Sequence, residues 1–238
     1  MFNQCPGQDR RKAKAENITC GNCGYAAEIF SDEIKIVCPK CKNLICKERL
    51  PSCLDWCKAA KECLGQQRYQ GYLEAKTVIL KERLVKELED YFGDDIKRIT
   101  HAKKVLRYAE EILKQEIADW DIVIPASILH DVGIKPAEEK YGSSAGHLQE
   151  ALGPEIARKI LLKLGVKKES VDEICQIISF HHSPGKIDSA NFKVLYDADW
   201  LVNLEEEVDT SDKVRTAEMI KKIFLTKTGK DISKDIYL

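Results

Sequence analysis

Long apolar runs are missing from this sequence. No stretch approaches the roughly 18 consecutive apolar residues that a helix needs to cross a bilayer. The first 14 residues are polar and basic, without the apolar segment of a secretion signal. Internal repeats and low-complexity tracts are missing too. These absences argue against a membrane protein and against a repeat architecture. We therefore expect a cytoplasmic protein with no membrane partner.

Excess charge of either sign is also small. The formal net charge is −1, with 12 basic and 8 acidic side chains in residues 1–72 and 26 and 31 in residues 73–238. The sequence has no long basic run and no cluster of aromatic residues. An imbalance this mild is typical of a solvated surface and gives little support to nucleic-acid binding.

Cysteines are abundant but confined to one end of the chain. Nine of the ten lie in the first 63 residues, and only Cys175 lies beyond them. In a reducing compartment, clustered cysteines favour metal binding over disulfides, and an odd number cannot all pair within the cluster. This distribution predicts two domains, a cysteine-rich metal-binding module in residues 1–72 and a helical domain in residues 73–238.

Four of these cysteines form two C-x2-C pairs, Cys20 with Cys23 and Cys38 with Cys41. Short alternating segments around Ser31-Asp32 separate the pairs and predict a β-hairpin. Two such pairs joined by a hairpin are typical of a zinc ribbon, in which four thiolates hold Zn²⁺ in a tetrahedron. Glycine follows Cys20 and Cys23 and would ease the tight turn of the backbone near the metal.

A second cysteine site is predicted from different spacing. Cys53 and Cys57 would lie one helical turn apart, and Cys63 follows six residues later. A fourth ligand has to come from elsewhere, and we prefer Cys5 to Cys46. Four cysteines accept zinc or an iron–sulfur cluster, and spacing does not choose between them. The alternative is that Cys53, Cys57 and Cys63 are buried free thiols.

After Gly71 the apolar residues recur three and four positions apart, which predicts helices. One helix should end at Gly93, and a second should run over about residues 95–117. Further helices are expected at about 122–131, 154–164, 170–182, 191–204 and 213–226, separated by glycine and proline. No segment of this part is strand-like. The fold class is therefore mainly α, with a small β-ribbon module at the N-terminus.

All five histidines lie in the helical part, and some fall on its apolar faces. His101 lies on the apolar edge of its helix, His130 and Asp131 end an apolar run, and Asp199 lies in an apolar stripe. One such histidine is more often a hydrogen-bonded core residue than a ligand, because burying a polar ring is costly without a partner. Together the residues make a mixed nitrogen and oxygen donor set suited to Mn, Fe, Co, Ni, Zn or Mg.

This pattern resembles the HD superfamily of metal-dependent phosphohydrolases, in which a histidine, a His-Asp doublet and a later aspartate follow one another. The resemblance covers about residues 90–205, in the segments RITHAKKV, ASILHDVGI, GPEIARKIL, IISFHHSPG and LYDADWL. It implies an HD-type helical bundle in which His101, His130, Asp131 and Asp199 bind a divalent metal. Asp197 is the nearby alternative to Asp199.

The same resemblance implies roles for other residues. His181 and His182 look like the pair that builds a second metal site in some branches, although those branches carry another histidine where this chain has Gln149, with His147 two positions away. Lys135 follows the HD-x-G segment after one intervening residue and is a candidate phosphate contact. The implied reaction is attack of a metal-activated water on phosphorus. Asp131 would orient that water or accept its proton, and Lys135 with His181 or His182 would neutralise charge or protonate the leaving oxygen. The alternative for His181 and His182 is that they cap a helix end.

Three functional hypotheses remain open at this stage. The first is an enzyme acting on a nucleotide or another small phosphate ester. The second is a phosphodiesterase or phosphatase directed to RNA or DNA by the ribbon, and the third is an iron–sulfur or metal-dependent redox sensor with a regulated HD domain. The sequence leaves open the substrate, the number and identity of catalytic metals, and the oligomeric state.

Overall fold

The computed structural model describes residues 14–30, 33, 35–46 and 59–238. The chain divides into two compact units, residues 1–79 and 80–238. One continuous helix, Gln66–Phe92, runs through this division and through the boundary predicted between residues 72 and 73, which stays a prediction. Within the described ranges, no helix has the length and apolar character needed to cross a membrane.

Four short strands make up the β-structure of the first unit. Strands β1 (Ala15–Thr19) and β2 (Ala26–Phe30) pair antiparallel, as do β3 (Lys35–Val37) and β4 (Leu44–Cys46). Each hairpin therefore closes over one C-x2-C pair. The sequence predicts instead a hairpin between the pairs, with its turn at Ser31-Asp32. Among the described strands β2 and β3 are not paired with each other, and residues 31 and 32 lie outside the described part of the chain.

Ten helices follow these strands within the described residues. They are α1 (Ala60–Leu64), α2 (Gln66–Phe92), α3 (Ile96–Leu113), α4 (Trp120–Leu129), α5 (Ile134–Tyr141), α6 (Gly146–Lys163), α7 (Lys168–Ile178), α8 (Ala190–Glu207), α9 (Lys213–Ile223) and α10 (Lys227–Tyr237). The structure thus confirms the predicted fold class of a mainly helical protein with a small N-terminal β module.

Helix α4 lies at the centre of the helical unit. Every residue from Ile122 to Leu129 is buried, and the helix packs against α3, α7 and α8. A helix that is apolar on all sides can be stable only when other helices surround it. The residues that come directly after Leu129 therefore lie in the middle of the bundle.

Helix α6 begins eight residues earlier than the sequence predicts. The pair Gly153-Pro154 is typical of a helix boundary, but both residues lie inside α6. A Cβ at Gly153 would lie 3.1 Å from the Ile178 side chain, so this glycine permits close packing rather than a turn. Helices α5 and α10 are not among the predicted helices.

Gly133 brings the turn after α4 against the backbone of α6. A Cβ at this position would collide with the Gln149 carbonyl oxygen and would lie 2.8 Å from the Gly153 amide nitrogen. Both neighbours are backbone atoms of a helix and cannot rotate away. Only glycine fits here, and its fit fixes the distance between α6 and the segment that begins with His130-Asp131.

We expect Gly133→Ala to lower the free energy of unfolding by about 1–3 kcal/mol, the usual cost of overpacking. Gly71→Ala is the matched control, since Gly71 lies in α2 and a Cβ added there would meet nothing within 4 Å beyond its own helix. Alanine there should stabilise the helix by about 0.5–1 kcal/mol. Urea unfolding followed by circular dichroism measures both effects, and equal changes in the two variants would contradict the close approach at Gly133.

Candidate metal centres

The structure brings Cys20, Cys23, Cys38 and Cys41 together, with all four sulfur atoms within 4.8 Å of one another. The Sγ atoms of Cys20 and Cys41 are 3.6 Å apart, and those of Cys23 and Cys38 are 3.7 Å apart. Four thiolates about 2.3 Å from a zinc ion in a tetrahedron would be separated by about 3.8 Å. The geometry therefore fits a tetrahedral metal ion.

The two cysteine turns have the same backbone hydrogen bonds. Cys20 donates its amide to the Tyr25 carbonyl and accepts from the Gly24 amide, and Cys38 is bonded in the same way to Asn43 and Lys42. The fourth residue after the first cysteine is left-handed in both turns, with φ of 69° at Gly24 and 62° at Lys42. A lysine in this conformation is strained where a glycine is not.

Little apolar core supports these turns. The buried cluster of this unit contains only Cys20, Ala27, Cys38 and Ile45 among the described residues, with a few partly buried neighbours. The backbone amide of Asn43 and the side chain of Asn22 lower the pKa of the Cys41 thiol to about 6, which favours a thiolate at neutral pH. A unit with so small a core draws much of its stability from the metal that it binds.

The second cysteine site stays a prediction. Cys5, Cys53 and Cys57 lie outside the described residues, Cys63 falls in helix α1, and the alternative ligand Cys46 falls in strand β4.

The helical unit brings its histidine and aspartate candidates together from four places in the chain. His101 comes from α3, His130 and Asp131 from the end of α4, His181 and His182 from the end of α7, and Asp199 from α8. Asp199 Oδ1 lies 3.1 Å from His101 Nε2 and 3.5 Å from His130 Nε2. Asp131 Oδ2 lies 3.7 Å and 3.4 Å from the same two nitrogens. His101, His130 and Asp131 could hold one metal ion.

The buried imidazoles point the same ring nitrogen into this site. His130 Nδ1 is 2.9 Å from the Ser127 carbonyl oxygen, and His181 Nδ1 is 2.7 Å from the Ile178 carbonyl oxygen. Their Nε2 atoms are buried and have no hydrogen-bond partner among the described residues. An unpaired buried nitrogen is costly unless something else, such as a metal ion, completes its coordination.

Burial and charge act against each other in this cluster. Burial lowers the pKa of His101 and His130, but the carboxylates of Asp131 and Asp199 outweigh it and raise both pKa values. Burial by itself raises the carboxyl pKa of Asp131 and Asp199. The neighbouring imidazoles outweigh this effect and hold both pKa values below the usual range. The site therefore holds two carboxylates that favour positive charge between them.

A second group of possible ligands shares Asp131 with the first. Asp131 Oδ1 lies 3.5 Å from His181 Nε2, and Asp131, His181 and His182 could hold a metal ion. His182 Nε2 lies 3.2 Å from Gln149 Oε1, so the glutamine side chain contacts the ring. Burial and the adjacent His181 lower the pKa of His182 to about 4, which keeps this imidazole neutral.

Other candidates lie elsewhere. Lys135 donates to the Tyr91 carbonyl oxygen at 2.9 Å, so a phosphate contact would require it to leave this bond. His147 is exposed at the start of α6. Asp197 is buried and accepts bonds from the Leu225 amide and from the amide and hydroxyl of Thr226. Of the two aspartates, Asp199 is the one that lies beside the imidazoles.

The sequence prediction misses two polar residues that contact this cluster. Asn203 Nδ2 donates to Asp199 Oδ2 at 3.0 Å, and Glu206 Oε2 lies 3.1 Å from His101 Nδ1. They follow Asp199 by four and seven residues, which places all three on one face of α8. This spacing is the signal in the sequence that could have found them.

Comparisons with known proteins agree with this geometry. Residues 98–204 match the family model described as HD domain. A crystal structure of a predicted HD superfamily hydrolase from an uncultured Thermotogales bacterium is similar, with 26% sequence identity and a TM-score of 0.50. The match covers 66% of this chain and 84% of that one. A search of curated proteins found no match.

Fold, site and family match together define a metal-dependent phosphohydrolase. The helical unit carries the match to the HD domain over residues 98–204, and the N-terminal region carries a zinc-ribbon-like cysteine module.

We expect Cys41→Ser to release about one zinc ion per chain and to expose the module to protease, because three thiolates hold zinc less tightly than four. Cys175→Ser is the control, since this buried cysteine lies in α7, outside the cluster. Elemental analysis and limited proteolysis measure both. Unchanged zinc content in Cys41→Ser would contradict the four-cysteine site.

A second prediction concerns the strained turn at Lys42. We expect Lys42→Gly to strengthen metal retention by about 1 kcal/mol, or roughly fivefold, because glycine removes the cost of the left-handed conformation. Lys40→Gly lies in the same turn without a positive φ and should not strengthen it. Competition with a zinc chelator gives the comparison, and equal retention in the two variants would argue against strain at Lys42.

Proposed function

We propose that the chain hydrolyses a small phosphate ester, a nucleotide or a related compound, at a divalent metal site made by His101, His130, Asp131 and Asp199. The observation that carries the proposal is the convergence of these four side chains around buried imidazole nitrogens that lack a hydrogen-bond partner among the described residues.

The donor set fits a divalent ion. Two imidazole nitrogens and two carboxylates suit Mn, Fe, Co, Ni or Zn, and Mg less well. The Nε2 atom of His130 is fully buried and has no hydrogen-bond partner among the described residues, so its lone pair can be taken up only by a proton or a bound cation. His101 and Asp131 retain some exposure, with 12% and 14% of their side-chain surface accessible. We infer that a phosphate oxygen and a water approach from this side.

When bound, the metal lowers the pKa of a coordinated water and offsets charge on the phosphoryl group. Asp131 is suited to orient that water, because the surrounding imidazoles hold its pKa low and leave it a carboxylate. The low pKa also makes Asp131 a weak base. Asp199 has the same character, and Asn203 fixes its second oxygen.

Asp131, His181 and His182 are our proposed location for a second ion. Asp131 would face it through Oδ1 while Oδ2 faces the first group. His182 is a poor proton donor at neutral pH, because its pKa is lowered to about 4. We therefore favour ligand roles for this pair over protonation of the leaving group by His182.

The charge balance supports a small substrate over a nucleic acid. Residues 73–238 carry 26 basic and 31 acidic side chains, and residues 1–72 carry 12 basic and 8 acidic ones, so neither part has the large positive excess that attracts a long polyanion.

We expect His101→Ala and Asp131→Ala to lose the helical-unit metal and to lower hydrolysis by about a thousandfold or more. His147→Ala is the matched control, since it removes an exposed histidine of the same unit and should retain activity. The measurements are phosphate release from nucleoside mono-, di- and triphosphates with added Mn²⁺, Co²⁺, Ni²⁺, Zn²⁺ or Mg²⁺, and elemental analysis.

Full activity in Asp131→Ala would contradict the assignment of this metal site as the active site. Cleavage of oligonucleotides without hydrolysis of mononucleotides would overturn the substrate class and leave the metal site in place.

A further inference from the structure

His101 is held differently from the two buried histidines, His130 and His181. His130 follows α4 and contacts the Ser127 carbonyl, and His181 follows α7 and contacts the Ile178 carbonyl. Both carbonyls belong to the last turn of a helix, where backbone oxygens have no partner within the helix. Such oxygens are free to hold an imidazole Nδ1.

His101 has no such carbonyl available. It is the sixth residue of the 18-residue helix α3, where the backbone carbonyls around it take part in the helical hydrogen bonds. An acceptor for its Nδ1 must therefore come from a neighbouring element. Helix α8 supplies one, since Glu206 Oε2 lies 3.1 Å from His101 Nδ1.

We propose that Glu206 is a positioning residue that fixes the ring of His101 so that its Nε2 lone pair faces a divalent cation in the site. The inference rests on the proposed function, because it takes His101 as a metal ligand. A carboxylate at Nδ1 selects the tautomer with hydrogen on Nδ1, prevents rotation of the ring and makes Nε2 a better donor.

One face of α8 contacts both nitrogens of this ring. Asp199 Oδ1 lies 3.1 Å from Nε2, and Glu206, two helical turns further on, contacts Nδ1. Because both carboxylates belong to one rigid helix, the ring is clamped between two points of fixed separation. Glu206 lies beyond residues 98–204, so the family match does not assign it a role.

Lys104 holds Glu206 in place and supplies a control. Its Nζ lies 3.2 Å from Glu206 Oε1 and 3.0 Å from Glu205 Oε1. Glu205 thus shares the lysine and the charge of Glu206, while His101 Nδ1 contacts Glu206. Removing Glu205 changes the local charge by the same amount and leaves the contact with His101 intact.

The experiment is a titration of the intact 238-residue chain with Mn²⁺, after removal of metal from the helical unit, followed by the electron paramagnetic resonance of the free ion. Thiolate sites disfavour Mn²⁺, so the cysteine module does not interfere. We expect Glu206→Ala to weaken Mn²⁺ binding about ten- to a hundredfold. Glu206→Gln keeps an acceptor oxygen and should recover most of the loss, and Glu205→Ala should stay within about twofold of wild type.

A second readout follows the ring directly. In nitrogen–proton spectra of the Mg²⁺-loaded protein, the Nδ1–H signal of His101 should be protected from exchange in the wild type and lost in Glu206→Ala. Thermal unfolding of the metal-free variants shows whether each one is folded.

Two results would overturn the positioning role. One is wild-type Mn²⁺ affinity in Glu206→Ala, and the other is an equal loss in Glu205→Ala, which would indicate a general effect of charge. His101→Ala in the same titration separates the two proposals. If it binds Mn²⁺ like the wild type, the ligand set of the proposed function is wrong. If it loses Mn²⁺ while Glu206→Ala does not, only the positioning role of Glu206 is wrong and the proposed ligand set stands.

Discussion

The placement of Asp131 is the constraint on which the helical unit depends. This carboxylate lies just after the most apolar helix of the bundle, α4, and faces three imidazoles with its two oxygens. Buried negative charge is tolerated only beside positive charge. Protons on the rings of His101 and His130 can supply that charge, and a divalent ion can supply it instead. Metal and protons therefore compete for the same space, and metal binding should release protons.

Ligands at helix ends and ligands inside helices are held by different kinds of hydrogen-bond acceptor. His130 and His181 contact free carbonyls at the ends of α4 and α7. These contacts break no helical hydrogen bond, because the last carbonyls of a helix have no partner within it. A ligand inside a helix needs help from another helix, as His101 does. The site therefore combines His130 and His181, which follow helix ends, with His101 and Asp199, which lie within the packed helices α3 and α8.

The sequence is sufficient to predict the mainly helical class and to choose residues that the structure brings together. His101 and Asp199 stand out because each places a polar group in an apolar helical stripe, and His130-Asp131 stand out because they end an apolar run. Their grouping as one ligand set comes from the resemblance to the HD superfamily. The start of α6 is missed because Gly153 reads as a helix boundary when it permits contact with Ile178. Pairing of the strands around the cysteine turns depends on backbone hydrogen bonds that composition does not encode.

The bonds of Asp197 define how much chain the helical unit needs. This buried carboxylate is two residues from Asp199, and the donors that satisfy it come from Leu225 and Thr226, just before α10. The hydroxyl of Tyr237 in α10 also donates to the carbonyl of α8 at Leu201. A fragment cut where the family match ends, at residue 204, would lose all of these donors. The smallest piece that keeps Asp197 satisfied and α8 supported therefore extends through α10.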